Sequence, residues 1–180
     1  AFQQQIQKSL DLDNGRSISL WPHGVLFRDS EADIRRKMIE EDLVECVIGL
    51  GPNLFYNSPM EACLLITKTN KEKAKKDKIL FINAVNEVRQ ESNMGYLQSS
   101  HIDKIFSTYQ SFRTIDNFSF LVDKQDVLDK NANMAINLYV RPDSLQADEN
   151  MTFDDSYQQW QQSSNNLKTS MDMLFKELAS

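Results

Sequence analysis

The fold is decided by residues 43–67, whose sequence is LVECVIGLGPNLFYNSPMEACLLIT. Leu43 to Leu50 form a continuous apolar run that only Glu45 interrupts, which is typical of a strand covered on both faces of a sheet. A second strand is predicted at Cys63 to Thr67. Both cysteines of the chain lie in these runs, so we expect two small buried hydrophobes in a reducing compartment rather than a disulfide.

Strands and helices alternate along the rest of the chain. The alternation of polar and apolar residues at Ser17 to Trp21 predicts a strand that ends at Pro22, and Ile79 to Ile82 predicts another. Weaker strands are predicted at Phe118–Val122 and Asn137–Val140. Because these strands interleave with helices, the fold class is predicted to be α/β.

Three helices are predicted in this part of the chain from apolar residues spaced three or four apart. The second of them begins at a pattern, Ser30 followed by Asp33, that resembles a capping box. The opening helix contains Phe2, Ile6 and Leu10 and stops at Asp13-Asn14-Gly15. The helix after Ser30 is expected to bury Ile34, Met38 and Ile39 and to expose Arg35, Arg36 and Lys37. The third helix, at His101–Tyr109, has Ile102, Ile105, Phe106 and Tyr109 on one face.

The end of the chain is predicted to be a linker followed by an amphipathic helix. Residues 143–154 are polar and acidic, and residues 155–180 have about three heptads of apolar periodicity. Such a helix either folds back on its own domain or docks on a partner; Ser164 within the apolar stripe disfavours pairing between copies. We call this stripe the seam, and its apolar residues are Tyr157, Trp160, Leu167, Met171, Leu174 and Leu178.

Composition and charge exclude several classes of protein. With 41% hydrophobic and 26% charged residues the chain has enough apolar material for a core, and no apolar run is long enough to span a membrane. The first residues do not form a secretory signal, and without an initiator Met the chain is expected to begin inside a longer protein. The net charge is −6, and residues 79–180 hold the whole excess of negative charge, so a nucleic-acid role has to be local or shared with partners.

The residues alone do not form a catalytic centre. Gly49-Leu50-Gly51 follows a strand but lacks the third glycine and the downstream acidic residue of a dinucleotide loop, so we interpret it as a tight turn. The two histidines and two cysteines lack the spacing of a zinc site, and no metal is expected. A Ser/His/Asp triad is not supported by a Gly-x-Ser-x-Gly elbow.

Two segments could bind a ligand. The lysines of the loop NKEKAKKDK could contact phosphates, although exposed charge runs more often only solvate a loop. Asn53-Leu54-Phe55-Tyr56 leaves a buried strand at the position where α/β proteins bind ligands, although aromatic residues there could also pack in the core. The candidate phosphate contacts are Lys71, Lys73, Lys75 and Lys76.

Four stretches together resemble one family. They are NGRSISLWPHGVLFRDSEADIRRKMIEEDLVECVIGLGPNLFYNSPMEACLLITKTNK, KILFINAVNEVRQ, LQSSHIDKIFSTYQ and NMAINLYVRP. Residues 2–142 are similar to the C-terminal part of the modification (M) subunit of type I restriction–modification systems, a family of DNA adenine-N6 methyltransferases. The resemblance implies the C-terminal half of a Rossmann-like methyltransferase sheet, mixed and with its last strand antiparallel, followed by a C-terminal helix.

The resemblance also implies a site and a methyl donor. The family binds S-adenosylmethionine through a Gly-rich loop and holds a flipped adenine with an Asn-Pro-Pro-aromatic motif; the chain has neither, so it is expected to be inactive alone. The position of Phe55 matches the aromatic residue that stacks on the target base, and the resemblance makes its neighbours Asn53 and Tyr56 candidate base or DNA contacts. Three departures from the family pattern are Gly51 for a common Pro, Asn57-Ser58-Pro59 for a Gly-rich loop, and Asn83 for a frequent Asp.

The partners implied by the resemblance are a specificity subunit, a second M subunit, a restriction subunit and double-stranded DNA, all in the cytoplasm. The seam would then dock on the specificity subunit. Two other interpretations stay open at this point: a fragment of a stand-alone or fused adenine-N6 methyltransferase, and a non-catalytic assembly module. The domains are accordingly expected at residues 1–142, 143–154 and 155–180.

Overall fold

A computed structural model of the chain describes residues 2–55, 58–91, 94–140 and 153–178. The chain divides into two compact units, Ala1–Asp143 and Ser144–Ser180, which we describe separately. Residues 143–152 of the predicted linker lie outside the described residues, while residues 153 and 154 already belong to the last helix.

The first unit is built on a five-stranded mixed sheet with strand order β1-β3-β2-β4-β7. Only β2 and β4 are parallel to each other, and the other neighbouring strands are antiparallel. This arrangement confirms the predicted α/β fold with a mixed sheet. The strands are β1 (Arg16–Pro22), β2 (Val44–Leu50), β3 (Ala62–Lys68), β4 (Lys78–Ala84), β7 (Ser119–Asp123) and the separate hairpin of β5 (Arg89–Glu91) and β6 (Met94–Tyr96).

Helices and short turns cover both faces of the sheet. Every residue of β2 is buried, as the apolar run predicted, because its side chains alternate between two cores. Helix α2 contributes Met38 and Ile39 to one core, and α3 packs Ile105 and Tyr109 against the other. The helices are α1 (Phe2–Lys8), α2 (Ala32–Glu40), α3 (Ser99–Ser111), α4 (Lys124–Asp129) and, in the second unit, α5 (Phe153–Leu178).

The start of α2 differs from the prediction in two ways. Ser30 does not cap the helix: its hydroxyl donates to Glu31, and α2 has no side-chain N-cap bond. Arg35 is buried rather than exposed, and its guanidinium donates to the carbonyl oxygens of Val25, Arg28 and Ala132 at 2.7 to 3.0 Å. A guanidinium carries five N–H donors, so one buried side chain can bond three backbone carbonyls from separate segments.

Two other predictions on local structure were wrong. Residues 137–140 do not form a strand; a 3₁₀ turn covers Ile136–Leu138, and Tyr139 turns its ring onto Phe81, with ring centroids 4.2 Å apart. The opening helix was predicted to contain Leu10, but α1 ends at Lys8. Within α1, Gln3 is buried, and its Oε1 atom accepts a hydrogen bond from the Trp21 indole at 3.0 Å.

Strand β2 begins beside a buried cluster of charges. The Glu45 carboxylate is fully buried and accepts hydrogen bonds from Lys75 Nζ at 3.0 Å and the Tyr109 hydroxyl at 2.8 Å, while Arg16 lies 3.9 Å away. Burial by itself raises the pKa of Glu45, but the hydrogen bonds and charges around it outweigh burial, so its pKa lies below the ordinary value. Both cysteines are buried and free, as predicted.

In α5 the described side chains, at residues 157, 158 and 160–171, are polar apart from those of the seam. Four seam side chains, Tyr157, Trp160, Leu167 and Met171, are exposed, and the rings of Tyr157 and Trp160 stack with centroids 6.0 Å apart. The side chains of Leu174 and Leu178 lie outside the described residues. Among the described helices, none combines the length and apolar character that crossing a bilayer requires.

Candidate functional site

The ends of four strands meet along one border of the sheet. Leu50 at the end of β2 pairs with Ala84 at the end of β4 and with Ala62 at the start of β3, and Ala62 also pairs with Pro22 at the end of β1. We call this the upper border of the sheet. Ligands of open α/β sheets bind outside the carboxyl ends of parallel strands, and β2 and β4 are the parallel pair here.

The loop that leaves β2 is held close to the neighbouring chain. A Cβ atom on Gly51 would lie 2.4 Å from the Val85 carbonyl oxygen, so only glycine allows this approach. Asn53 has a φ of 60°, a left-handed conformation that asparagine tolerates well, and its carbonyl accepts a hydrogen bond from Gly95 N at 2.8 Å. The close packing of Gly51 and the hydrogen bond at Asn53 therefore fix the loop that carries Phe55 to the upper border.

Phe55 lies beside a shallow apolar cavity of about 160 Å³, which we call the Phe55 cavity. The ring is 36% exposed, and the Phe55 carbonyl accepts a hydrogen bond from Ser58 N at 3.1 Å. Trp21, Pro22 and Met60 line the same cavity. An exposed ring with apolar neighbours can hold one face of a planar aromatic group by stacking.

A second, more polar cavity of about 210 Å³ adjoins the first, and we call it the His23 cavity. Glu61 lines both cavities. His23 Nδ1 lies 3.2 Å from Glu61 Oε2, whereas His23 Nε2 is buried without a hydrogen-bond partner among the described residues. Asn83 and Asn137 add two amide groups to the lining. The cavity can therefore hydrogen-bond a small polar ligand.

The lysine-rich loop divides into inward and outward side chains. Lys71 is buried and donates to Asp42 Oδ1 at 2.7 Å, and Lys75 donates to the buried Glu45 carboxylate. These contacts hold Lys71 and Lys75 in the protein, so they are not free to meet a phosphate. Lys73 and Lys76 are exposed, and a phosphate contact stays a prediction for these two.

Gly49 near the end of β2 and Gly51 directly after the strand serve packing: a Cβ on Gly49 would lie 2.7 Å from Ile136 Cδ1, and Gly51 faces Val85 and Val88. Within the described ranges no cluster of three or more His, Cys, Asp or Glu side chains could hold a metal ion.

The structure places the predicted site residues unevenly. Phe55 and Asn53 stand at the upper border, and Tyr56 lies outside the described residues. The sequence interpretation missed His23 and Glu61, which are 38 positions apart and meet only because β1 and β3 are adjacent. The available signal was a histidine directly after Pro22, at the predicted end of a strand.

Comparison with protein families gives one clear match. The sequence model of the N-6 DNA Methylase family matches residues 1–148. The methylase subunit of the type I restriction enzyme MjaVIII from Methanocaldococcus jannaschii is 34% identical over 140 residues, which are 76% of this chain and 24% of that protein. The MpnII methylase subunit from Mycoplasma pneumoniae is 30% identical over 122 residues, 67% of this chain and 22% of that protein. The chain thus spans about a quarter of the length of these relatives.

Solved structures of type I restriction-modification proteins are also similar to this chain. The methyltransferase subunit of a type I restriction-modification system from Streptococcus thermophilus superposes with a TM-score of 0.69 at 33% identity, over 74% of this chain and 28% of that one. A chain from a study of complex assembly and conformational transition of the type I R-M system covers 98% of this chain and 38% of that one, with a TM-score of 0.59. At 18% identity this second likeness concerns the fold alone.

Proposed function

This chain belongs to the N-6 DNA methylase family, and we propose that it is the target-base part of the M subunit of a type I restriction–modification enzyme. The parent subunit transfers a methyl group to the N6 atom of adenine in a specific DNA sequence, in the cytoplasm. The chain contributes the upper border of the sheet, where the flipped adenine is held. The curated relatives, which are methylase subunits of type I restriction enzymes, support this assignment.

The observation that carries the proposal is the exposed ring of Phe55 above an apolar cavity, at the end of a fully buried strand. Enzymes that modify a base take it out of the helix and grip it between aromatic or apolar side chains. Such a stack is worth about 1–3 kcal/mol per base. Asn53 and Tyr56 are proposed neighbours of the base, and Lys73 and Lys76 are proposed contacts to DNA phosphates.

S-adenosylmethionine is proposed to bind the rest of the parent subunit, where it supplies an electrophilic methyl group. The chain's own part is to hold and orient the base so that the amino nitrogen is presented to the donor. We therefore expect the isolated chain neither to bind the donor in calorimetric titration nor to methylate DNA.

The proposal is tested by the substitution Phe55→Ala in the full parent subunit assembled with its partners. Loss of one stack of about 1–3 kcal/mol predicts roughly a ten- to hundredfold lower rate of methyl transfer. The melting temperature should change little, because the ring is partly exposed. The rate is measured by incorporation of labelled methyl groups into DNA.

Phe120→Ala is the matched control, because Phe120 is also a partly exposed phenylalanine, on β7 and outside both cavities. It should leave methyl transfer unchanged. If Phe55→Ala keeps full activity but lowers the melting temperature markedly, Phe55 is a packing residue and the proposal fails.

The proposed partner of the seam is the specificity subunit. The described seam side chains are exposed, and an apolar stripe on an otherwise polar helix is typical of a helix that packs against a partner helix. A second M subunit and a restriction subunit complete the proposed assembly on double-stranded DNA.

Docking through the seam is tested by deleting residues 155–180 from the full subunit and mixing it with the specificity subunit. We expect the complex to be lost in size-exclusion chromatography while donor binding by the subunit is retained. If the complex survives the deletion, or if the methyltransferase domain no longer folds, the helix packs within its own subunit and docking on the specificity subunit is refuted.

A further inference from the structure

The side chain of Val88 lies between two glycines that belong to separate segments. Gly51 directly follows β2, and Gly95 is the buried middle residue of β6. A Cβ atom on Gly51 would lie 2.9 Å from Val88 Cγ1, and a Cβ atom on Gly95 would lie 2.8 Å from Val88 Cγ2. Neither glycine has a positive φ, so the contact requires their small size rather than an unusual backbone conformation. The two methyl groups of Val88 therefore pack the loop after β2 against the β5–β6 hairpin.

The same loop is tied to the hairpin at the residues that precede Phe55. Gly95 N donates a hydrogen bond to the Asn53 carbonyl oxygen at 2.8 Å, and a Cβ on Gly95 would lie 3.0 Å from the Pro52 carbonyl oxygen. On its other side the loop is held by Leu54, which packs against the core that α3 covers. The exposed Phe55 ring thus follows directly after a segment with contacts on both sides.

The residues around Val88 are themselves attached to the sheet and to α3. Glu87 forms an ion pair with Lys104 of α3, and its N–H donates to the Ala84 carbonyl oxygen at the end of β4 at 3.0 Å. Val88 is half-buried, so truncation of its side chain should cost less stability than truncation of a core residue. A change at Val88 is therefore expected to act mainly on the loop that carries Phe55.

We propose that Val88 is a positioning residue for methyl transfer, whose two methyl groups hold the loop after β2 against the hairpin and so fix the Phe55 ring at the upper border. The role of the ring in this inference rests on the proposed function. A group that is held in place before its ligand arrives has less conformational freedom to lose on binding. Misplacement of a reacting system by about 1 Å can cost about a hundredfold in rate, so a side chain that does not touch the base can still control the reaction.

The position of the ring is measured by ¹⁹F NMR of the full parent subunit with 4-fluorophenylalanine incorporated at position 55, which gives a single fluorine signal. Val88→Ala removes both methyl groups, so the signal should shift or broaden, and methyl transfer by the assembled enzyme should be about tenfold slower. Val88→Thr keeps the branched shape of the side chain and should retain both the signal and most of the rate.

Leu121→Ala separates positioning from a general loss of stability. Leu121 is also half-buried, but it lies in the middle of β7 opposite Leu80, away from the loop. This variant should lower the melting temperature at least as much as Val88→Ala does, and it should leave the fluorine signal and the rate of methyl transfer unchanged.

A pair of double variants tests the contact itself. Gly95→Ala alone should slow methyl transfer, because the new Cβ would lie 2.8 Å from Val88 Cγ2. Val88→Ala removes that atom, so the combination of the two should be faster than Gly95→Ala alone. Gly51→Ala is the matched control: its Cβ would still lie 2.4 Å from the Val85 carbonyl oxygen, so Val88→Ala should not rescue it.

The proposal is overturned if Val88→Ala leaves the fluorine signal or the rate unchanged, if Val88→Thr is as slow as Val88→Ala, if Leu121→Ala is equally slow, or if Val88→Ala does not improve Gly95→Ala. Failure of the proposed function is a different result, namely full methyl transfer by Phe55→Ala. If Phe55→Ala is slow and Val88→Ala changes neither the signal nor the rate, the proposed function stands and the positioning role of Val88 is refuted.

Discussion

The two ends of strand β2 present opposite kinds of polar chemistry. At its start, the buried Glu45 carboxylate is surrounded by donors, with Lys75 and Tyr109 within hydrogen-bonding distance. At its end, the chain passes Gly51, turns through a left-handed Asn53 and exposes the ring of Phe55. The Glu45 carboxylate at the start has its hydrogen-bond partners within the protein. At the end, the Phe55 ring is exposed and the His23 Nε2 atom has no hydrogen-bond partner among the described residues.

The two ends therefore illustrate two roles of polar groups: those that stabilise the fold and those that are available to bind a ligand. Charges that are fully paired inside a fold rigidify it, and breaking them costs stability. Groups that are oriented but unpaired at the ends of parallel strands gain their partner only when a ligand arrives. We therefore expect substitutions at the start of β2 to change folding and substitutions at its end to change binding.

The largest expected effect is that of Glu45→Ala on stability. The substitution leaves Lys75 and the Tyr109 hydroxyl without their shared acceptor, and removal of one partner of a buried ion pair costs about 3–5 kcal/mol. The free energy of unfolding is measured by urea titration of the chain. Glu41→Ala, which breaks an exposed pair with Lys37, is the control and should change the free energy of unfolding by less than about 1 kcal/mol. Equal effects would show that the cluster is not structural.

A smaller effect is expected in the pH dependence of stability. The pKa of Glu45 in the folded chain lies below its ordinary value, so its contribution is present above the unfolded pKa and is lost as the pH falls through the folded pKa. The free energy of unfolding should therefore fall as the pH drops below about 4.5. In Glu45→Gln this fall should be shallower, since the other carboxyls are unchanged. Identical slopes would contradict the arrangement at the start of β2.

Much of the sheet could be predicted from sequence because its strands have clear local patterns. The apolar run from Leu43 to Leu50 becomes the fully buried β2, and the alternating residues Ser17 to Trp21 become part of β1. β3 and β4 also lie where their apolar residues predict them.

Other features depend on contacts distant in sequence and could not be predicted. Arg35 was expected at the surface, but one of its acceptors, the Ala132 carbonyl, lies 97 positions away. Lys71 looked like part of a solvated loop until Asp42 was found beside it. His23 and Glu61 meet through the pairing of β1 with β3, and neither residue forms a motif with its sequence neighbours.

The central claim, that the end of β2 holds the flipped base, is tested most directly by photocrosslinking. The parent enzyme, assembled with its partners, is irradiated with a DNA duplex that carries 5-iodouracil at the target position, where a mismatch also eases extrusion of the base. We expect a crosslinked peptide attached through Phe55, which disappears in Phe55→Ala and persists in Phe120→Ala. A crosslink at the target position that maps away from the upper border, or that is equally strong in Phe55→Ala, would contradict it.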